Sequence, residues 1–528
     1  MKKNIEKFLR RTERGQAIIL IAFAFIGLVA MVGLVTDTGI LLIEYGKLKR
    51  SVDAAAIAAA QEYRPRAGNE FLDLDRLENA AIGILNLNQV QNLSNIAIHT
   101  CEPADLARPA LCNPDPVGHP MANRKLVSVT ASSNVVFGFL RVIGINSVTL
   151  TASSTGEAAT IDLVLVVDTS GGMAYETGNE VYNAPDPKNN TYDKSDSDDD
   201  PSVCNLDNTC EPMRVVKNVA WDFVSRLYFP YDRVSVIAMT SQNPGGSRAP
   251  MEVLGLSSNR GDIQTEITNL KVFEPRDCNG SDDPGSCLFY QGSNYLGEIC
   301  QFYQNYSSTA EANPSSCPSS NIGGAVRLAR DALQGIGAHP TTMRPSAFWV
   351  VVGLFGGPAN ATDGNGSFPY GFCPQNTWLL AAGQSPWCRD PYPSTRHYDT
   401  DPLYHYVNPI SGDSMNISLY DADDYARDMA DDLATLTTEN GVTIYTVGLG
   451  AAIKNKAYYM DMSTGVPVKV EIDLSVEPAP GEDLLQYIAE EAGGASVNHG
   501  QYFYASNSTA LSGIFERISQ NIATKISQ

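Results

Sequence analysis

IDLVLVVDTSGGM, residues 161–173, opens with a nearly unbroken apolar run and ends in Asp168, Thr169, Ser170, Gly171 and Gly172. A run without alternation reads as a strand covered on both faces, the signature of a parallel sheet under helices. Working outward, similar runs stand at 234–239, 348–354 and 442–447, with a short aromatic strand at 502–504. Amphipathic helical patterns separate them at 213–227, 322–333, 422–436, 484–492 and 511–522. Strands alternating with helices predict an α/β domain. In such a sheet ligands collect where the strands end, which directs attention to Asp168 and Ser170.

The chain has 528 residues, with 37 Lys and Arg against 59 Asp and Glu, a net charge of −22. That balance repels phosphate backbones and excludes nucleic acid as a partner. The sign reverses at the start, where Lys2, Lys3, Lys7, Arg10, Arg11 and Arg14 face Glu6 and Glu13. Directly after this basic segment, residues 17–35 (AIILIAFAFIGLVAMVGLV) carry no charge. As a helix these residues would measure about 28 Å, close to the ~30 Å hydrocarbon core. The stretch is longer than a signal-peptide core and no A-x-A follows it, so it reads as a retained single-pass anchor. The basic flank places the N-terminus in the cytoplasm and the later domains outside the cell membrane.

The helical pattern outlasts the anchor. Leu41, Tyr45, Leu48, Val52, Ala55 and Ala59 keep helical spacing, and Arg64-Pro65 ends the run, so one helix is expected over about 16–63. Its small-residue face from Ala54 to Ala60 suits close packing, either on another helix or on the chain's own outer part. Residues 64–158 read as a small α+β spacer, with a helix at 73–87 and alternating strands at 126–130 and 148–151.

The ten cysteines all follow the anchor and include no C-x-x-C, which suits a disulfide-stapled exterior. Neighbour pairing would give 101–112, 204–210, 278–287, 300–317 and 373–388, one of many connectivities that the sequence allows. Four inserts interrupt the α/β pattern of residues 159–528, at about 174–210, 274–317, 359–420 and 451–481. All would leave near the strand-end face and form either a new binding surface or a seal over it. Within them, Asp196, Asp198 and Asp200 form an acidic run that is either solvated or a Ca²⁺ site. Phe289, Tyr290, Tyr295, Phe302, Tyr303 and Tyr306 form an aromatic strip suited to an interface or to local packing. Arg260-Gly261-Asp262 reads as a helix start that Asn259 or Asp262 caps.

Two resemblances follow from these residues. Arg14-Gly15-Gln16, Asp37 and Val52-Asp53-Ala54-Ala55-Ala56 resemble the N-terminal region of TadE/TadG-like proteins of the tight-adherence (Flp) pilus system. Processed pilins of that system carry Glu five residues after the cleaved Gly; here Leu20 stands there, which points to the uncleaved, TadG-like branch. Residues 159–525 resemble a von Willebrand factor A domain, through Asp168-Thr169-Ser170-Gly171-Gly172, Ser320-Asn321-Ile322-Gly323-Gly324-Ala325 and 441–450. That likeness implies a doubly wound, mostly parallel sheet and a metal-ion-dependent adhesion site for Mg²⁺ or Mn²⁺. Asp168, Ser170 and Ser320 match its ligands, whereas Gly172 and Gly356 replace a Ser and an Asp, so the site is degenerate and loss of the ion is the favoured reading.

The expected whole is a long transmembrane helix, a small spacer and a large A-type domain. The resemblances imply a pilus-assembly factor or a pilus-tip or surface adhesin, with envelope or pilus proteins meeting the helix and a surface or protein ligand meeting the inserts. A stand-alone envelope receptor or scaffold is the alternative. No G-x-S-x-G, H-E-x-x-H or P-loop pattern occurs, so no enzymatic activity is expected.

Overall fold

The computed structural model describes residues 2–65, 71–102, 105–107, 109, 112, 124–174, 201–243, 249–274, 290–291, 294–295, 320–359, 363, 405–407, 414–418, 422–438, 441–454, 458–461, 468–471 and 478–526. The chain divides into two compact units, Met1–Ala158 and Ala159–Gln528.

Helix α1 spans Lys2–Gln61 and runs from the basic segment into the apolar stretch, starting earlier than the expected 16–63. Gly15 alone does not interrupt it, since one glycine costs a helix only about 1 kcal/mol. From Ile18 to Val35 the helix is exposed apart from Gly33, whereas Leu48, Val52, Ala55, Ala56, Ala59 and Ala60 are buried. The buried face packs on α2 (Leu74–Leu87) and on a three-stranded antiparallel sheet of β1 (Leu93–Thr100), β2 (Lys125–Val136) and β3 (Ser147–Ala158). The alanines lie against the chain's own sheet, and the helix and residues 71–158 fall in one compact unit. The approach is close: a Cβ on Gly156 would lie 2.4 Å from the carbonyl oxygen of Ala56. A disulfide joins Cys101 to Cys112 beyond β1.

The second unit is built on a six-stranded sheet. Its strands are β4 (Ile161–Val167), β5 (Arg233–Ala238), β6 (Met251–Ser257), β7 (Phe348–Phe355), β8 (Val442–Leu449) and β9 (Gln501–Ala505). In space the order is β9-β8-β7-β4-β5-β6; every pair is parallel except β5–β6. The quoted strand lies inside, with Leu163 beside Val234 on one edge and Val350 on the other. Its residues alternate between two cores. Val164 and Val166 join α5 (Ile322–Leu333), α6 (Ala422–Ala434) and α7 (Pro480–Glu490) on one face. Leu163, Leu165 and Val167 join α3 (Met213–Val224), α4 (Arg260–Asn269) and α8 (Leu511–Ile526) on the other. Each such buried aliphatic side chain contributes about 1.5–3 kcal/mol.

Below the sheet's starting end, Asp162 is fully buried and accepts from Arg233 Nη2 at 2.6 Å and also from Arg344. Strand β6 escaped the sequence reading because it is an irregular, half-exposed edge with register shifts. Arg260-Gly261-Asp262 is the first turn of α4, capped by Asn259, whose side chain accepts the Gly261 N–H at 2.9 Å. Cys204 and Cys210 are bonded and buried in the second core. The acidic run at Asp196, Asp198 and Asp200, the pairs 278–287, 300–317 and 373–388, and the side chains of the aromatic strip lie outside the described residues.

Candidate functional site

At the carboxyl end of β4 the chain must turn, and Asp168 makes the turn's hydrogen bonds. Its Oδ1 accepts the Ser170 N–H at 2.8 Å, and its Oδ2 accepts the Gly356 N–H, just past β7, at 2.7 Å. Its own N–H donates to the Leu354 carbonyl at 2.9 Å. The carboxyl is fully buried, and that burial pushes its pKa up against the smaller opposing pull of the Gly356 and Ser170 N–H groups. Next to it, the Thr169 and Thr240 hydroxyls lie 2.7 Å apart and link the ends of β4 and β5.

The structure brings the sequence-predicted residues to one strand-end face. A Cβ on Gly356 would lie 3.4 Å from Asp168 Oδ2, and one on Gly357 would lie 3.6 Å from Ser320 Oγ. The Gly356-Gly357 turn thus sits between the Asp168 carboxylate and the Ser320 hydroxyl. Ser170 and Ser320 are both buried. Gly172 faces open space, with nothing within 4 Å of where a Cβ would stand.

Asp363 is the residue that sequence reasoning missed. Its Oδ1 accepts Asn321 Nδ2 at 2.8 Å; its Oδ2 accepts Arg327 Nε at 2.7 Å and the Tyr425 hydroxyl at 2.6 Å. Asn321 also caps α5, its Oδ1 accepting the Gly324 N–H at 2.9 Å. A Cβ on Gly324 would come within 2.1 Å of Asp363 Oδ1, so the glycine makes room for the carboxylate. Burial, and then the Asp363 charge, push the Tyr425 phenol well above its ordinary range and keep it a donor. Asp363 lies in an insert with no periodic pattern, so only its neighbours carried a signal, as the Ser320-Asn321-Ile322-Gly323-Gly324 motif.

A hard divalent ion wants several oxygens, preferably anionic. Here both Asp168 oxygens already hold backbone N–H groups, and Gly172 and Gly356 supply no side-chain oxygen. The nearby carboxylate of Asp363 is engaged by Asn321, Arg327 and Tyr425. Among the described residues no three His, Cys, Asp or Glu side chains converge. The donor set of Asp168, Ser170 and Ser320 does not fit the Mg²⁺ or Mn²⁺ that the resemblance implies. What the face offers is a hydrogen-bonded floor at the ends of β4, β5 and β7.

No protein-family model matches the sequence, and no curated protein is detectably similar to it. Among solved structures, the minor pilin PilB from Streptococcus sanguinis is 13% identical over 82% of this chain and 79% of its own, with a TM-score of 0.34. The pilus adhesin SpaC from Lactobacillus rhamnosus GG is 13% identical over 75% of this chain and 33% of its own, at 0.32. Proximal thread matrix protein 1 from the mussel byssus, solved with a zinc-occupied MIDAS motif, is 13% identical over 69% and 46%, at 0.30. Scores this low do not carry function, or a metal, from those proteins to this one.

Proposed function

We propose that this chain is a non-enzymatic, membrane-anchored, extracytoplasmic protein of a tight-adherence pilus system. It is TadG-like, and acts in pilus assembly or as a pilus-tip or surface adhesin through an A-type outer domain. The observation that carries the reading is the change of character along α1. Ile18, Leu20, Phe23, Phe25, Ile26 and Leu28 are exposed, while the same helix is sealed into its own unit from Leu48 onward. A continuous apolar belt of that length is stable in lipid and not in water. The basic residues ahead of it favour a cytoplasmic N-terminus, which puts both later parts of the chain on the outer side.

The TadG-like features also have physical roles. Asp37 binds the β2–β3 turn of its own unit, and Val52, Ala55 and Ala56 form the face that meets the sheet. The outer domain would grip a surface or protein ligand through inserts that leave the strand-end face, with no need of an ion. Pilus or envelope proteins are the proposed neighbours of the anchor.

Shearing filaments from cells and probing both fractions with antibody tests this reading. Recovery with the filaments makes the chain a pilus component. Retention in the membrane together with loss of filaments on gene deletion makes it an assembly factor. Retention with normal filaments in the deletion strain would sink the pilus reading and leave a stand-alone envelope receptor.

A further inference from the structure

The connection between β2 and β3 is unlike the rest of its sheet. Toward the turn, exposed positions are polar, with Asn134, Thr149, Thr151 and Ser153 facing solvent. At the turn itself five large apolar residues are exposed, Val136, Phe139, Val142, Ile143 and Ile145, with Val142 86% and Ile143 71% exposed, beside exposed Arg141 and Asn146. Arg141 is the single charged residue between Val135 and Ser147. A short 3-10 turn, Leu140–Ile143, forms the tip and closes at Gly144 in a left-handed conformation, φ +92°.

The tip is fastened to α1. Asp37 is fully buried beneath it and accepts the N–H groups of Gly138 at 2.9 Å, Phe139 at 3.0 Å and Leu140 at 2.7 Å. Phe139 lies on Gly33, where a Cβ would come within 2.7 Å of the Phe139 Cβ. Gly33 and Asp37 are about 24 and 30 Å along the helix from Ala17, which is the thickness of the hydrocarbon core. The apolar tip therefore stands beside the part of α1 where the charge-free run 17–35 gives way to Thr36 and Asp37, with Ile40, Leu42 and Ile43 exposed one to two turns further on, and it lies in the same compact unit.

From this we infer that the Phe139–Ile145 turn is a second membrane contact, a wedge seated in the outer-leaflet lipid beside the helix. The occupant is lipid because the patch stands beside the end of the helix's charge-free run. The one charge on the tip suits that seat, since an arginine at this depth lays its stem along acyl chains and reaches a headgroup phosphate. Asp37 is a positioning residue. It satisfies three turn N–H groups that would otherwise be left unpaired at the edge of the lipid, and in turn they satisfy its charge. Two contacts fix how the sheet of the first unit stands on the membrane, where one helix would leave it free to swivel.

The inference rests on α1 crossing a bilayer, and the test separates the two. The full-length chain is placed in vesicles with a single added cysteine carrying a polarity-sensitive dye, at Val142, at Ile26 or at Thr149; the unsubstituted chain gives the labelling background. Nitroxides on the lipid acyl chain, near the headgroup or near the methyl end, then quench by depth. Val142→Cys is expected to emit to the blue of Thr149→Cys and to be quenched more by the shallow nitroxide, with Ile26→Cys quenched more by the deep one. Quenching at Ile26 with Val142 behaving like Thr149 overturns the wedge and leaves the anchor standing. A blue-shifted Val142 that no nitroxide quenches means that protein covers the tip, and also overturns it. No quenching at either site removes the anchor and the wedge together. Asp37→Ala should lower the quenching at Val142 without changing that at Ile26.

Discussion

Gly172 and Gly356 stand where the A-domain pattern has two oxygen ligands, and their surroundings differ. A side chain at Gly172 would enter open space, so a serine there adds a hydroxyl at little cost. At Gly356 a Cβ would already lie 3.3 Å from Met173 Sδ and 3.4 Å from Asp168 Oδ2, so an aspartate sets one carboxylate against another. Two anions that close repel unless a cation lies between them. The double variant Gly172→Ser/Gly356→Asp is therefore expected to melt below the parent in chelator. Mn²⁺ should raise it again, since a ligand of the native state stabilises by mass action, about 2.7 kcal/mol at a hundredfold excess over Kd. Calorimetry of both proteins with and without Mn²⁺ is the check. An equal Mn²⁺ shift in the parent would mean that Asp168, Ser170 and Ser320 already hold an ion.

At the scale of elements, the contact that binds α1 to its sheet depends on the absence of one methyl group. Gly156 meets the Ala56 carbonyl oxygen, a rigid backbone atom that cannot rotate away. Gly156→Ala must push helix and strand apart and should cost about 1–3 kcal/mol, as overpacking does. Gly83 on α2 is the control: nothing lies within 4 Å of its Cβ position, and Gly83→Ala should stabilise by up to about 1 kcal/mol through helix propensity. Denaturant unfolding of the full-length chain in detergent reads both. A neutral Gly156→Ala would mean that the helix does not rest on β3 in solution. What the sequence made legible follows the same logic of scale. The inner strands 161–167, 348–354 and 442–447 were readable because burial on both faces leaves continuous apolar runs, and they extend only slightly further in the structure. The alanine face of α1 announced close packing, but a face does not name its neighbour, and β3 lies about a hundred residues on. Asp168, Ser170 and Ser320 were found through local motifs. Asp363, and the turn that Asp37 holds, were not, because each works through partners that the chain supplies from far away.

As a whole, the molecule has two units with separate cores, and each holds one described disulfide: Cys101–Cys112 in the first, Cys204–Cys210 in the second. A single melting temperature is then not a well-defined quantity, and two transitions are expected in calorimetry. Each cystine closes a short loop, for which chain entropy gives about 2–3 kcal/mol of stabilisation. The two differ in setting. Cys204 and Cys210 are buried in the packed core that also holds Met213 and Phe223, so replacing both by serine also buries hydroxyls in an apolar site. Cys101 and Cys112 are only half-buried, and their loss removes little besides the cross-link. Cys204→Ser/Cys210→Ser should therefore lower one transition by more than Cys101→Ser/Cys112→Ser lowers the other, and each pair should leave its non-host transition in place. Both transitions falling together in either variant would show that the units unfold as one, and the division of the chain into two independently held bodies would have to be abandoned.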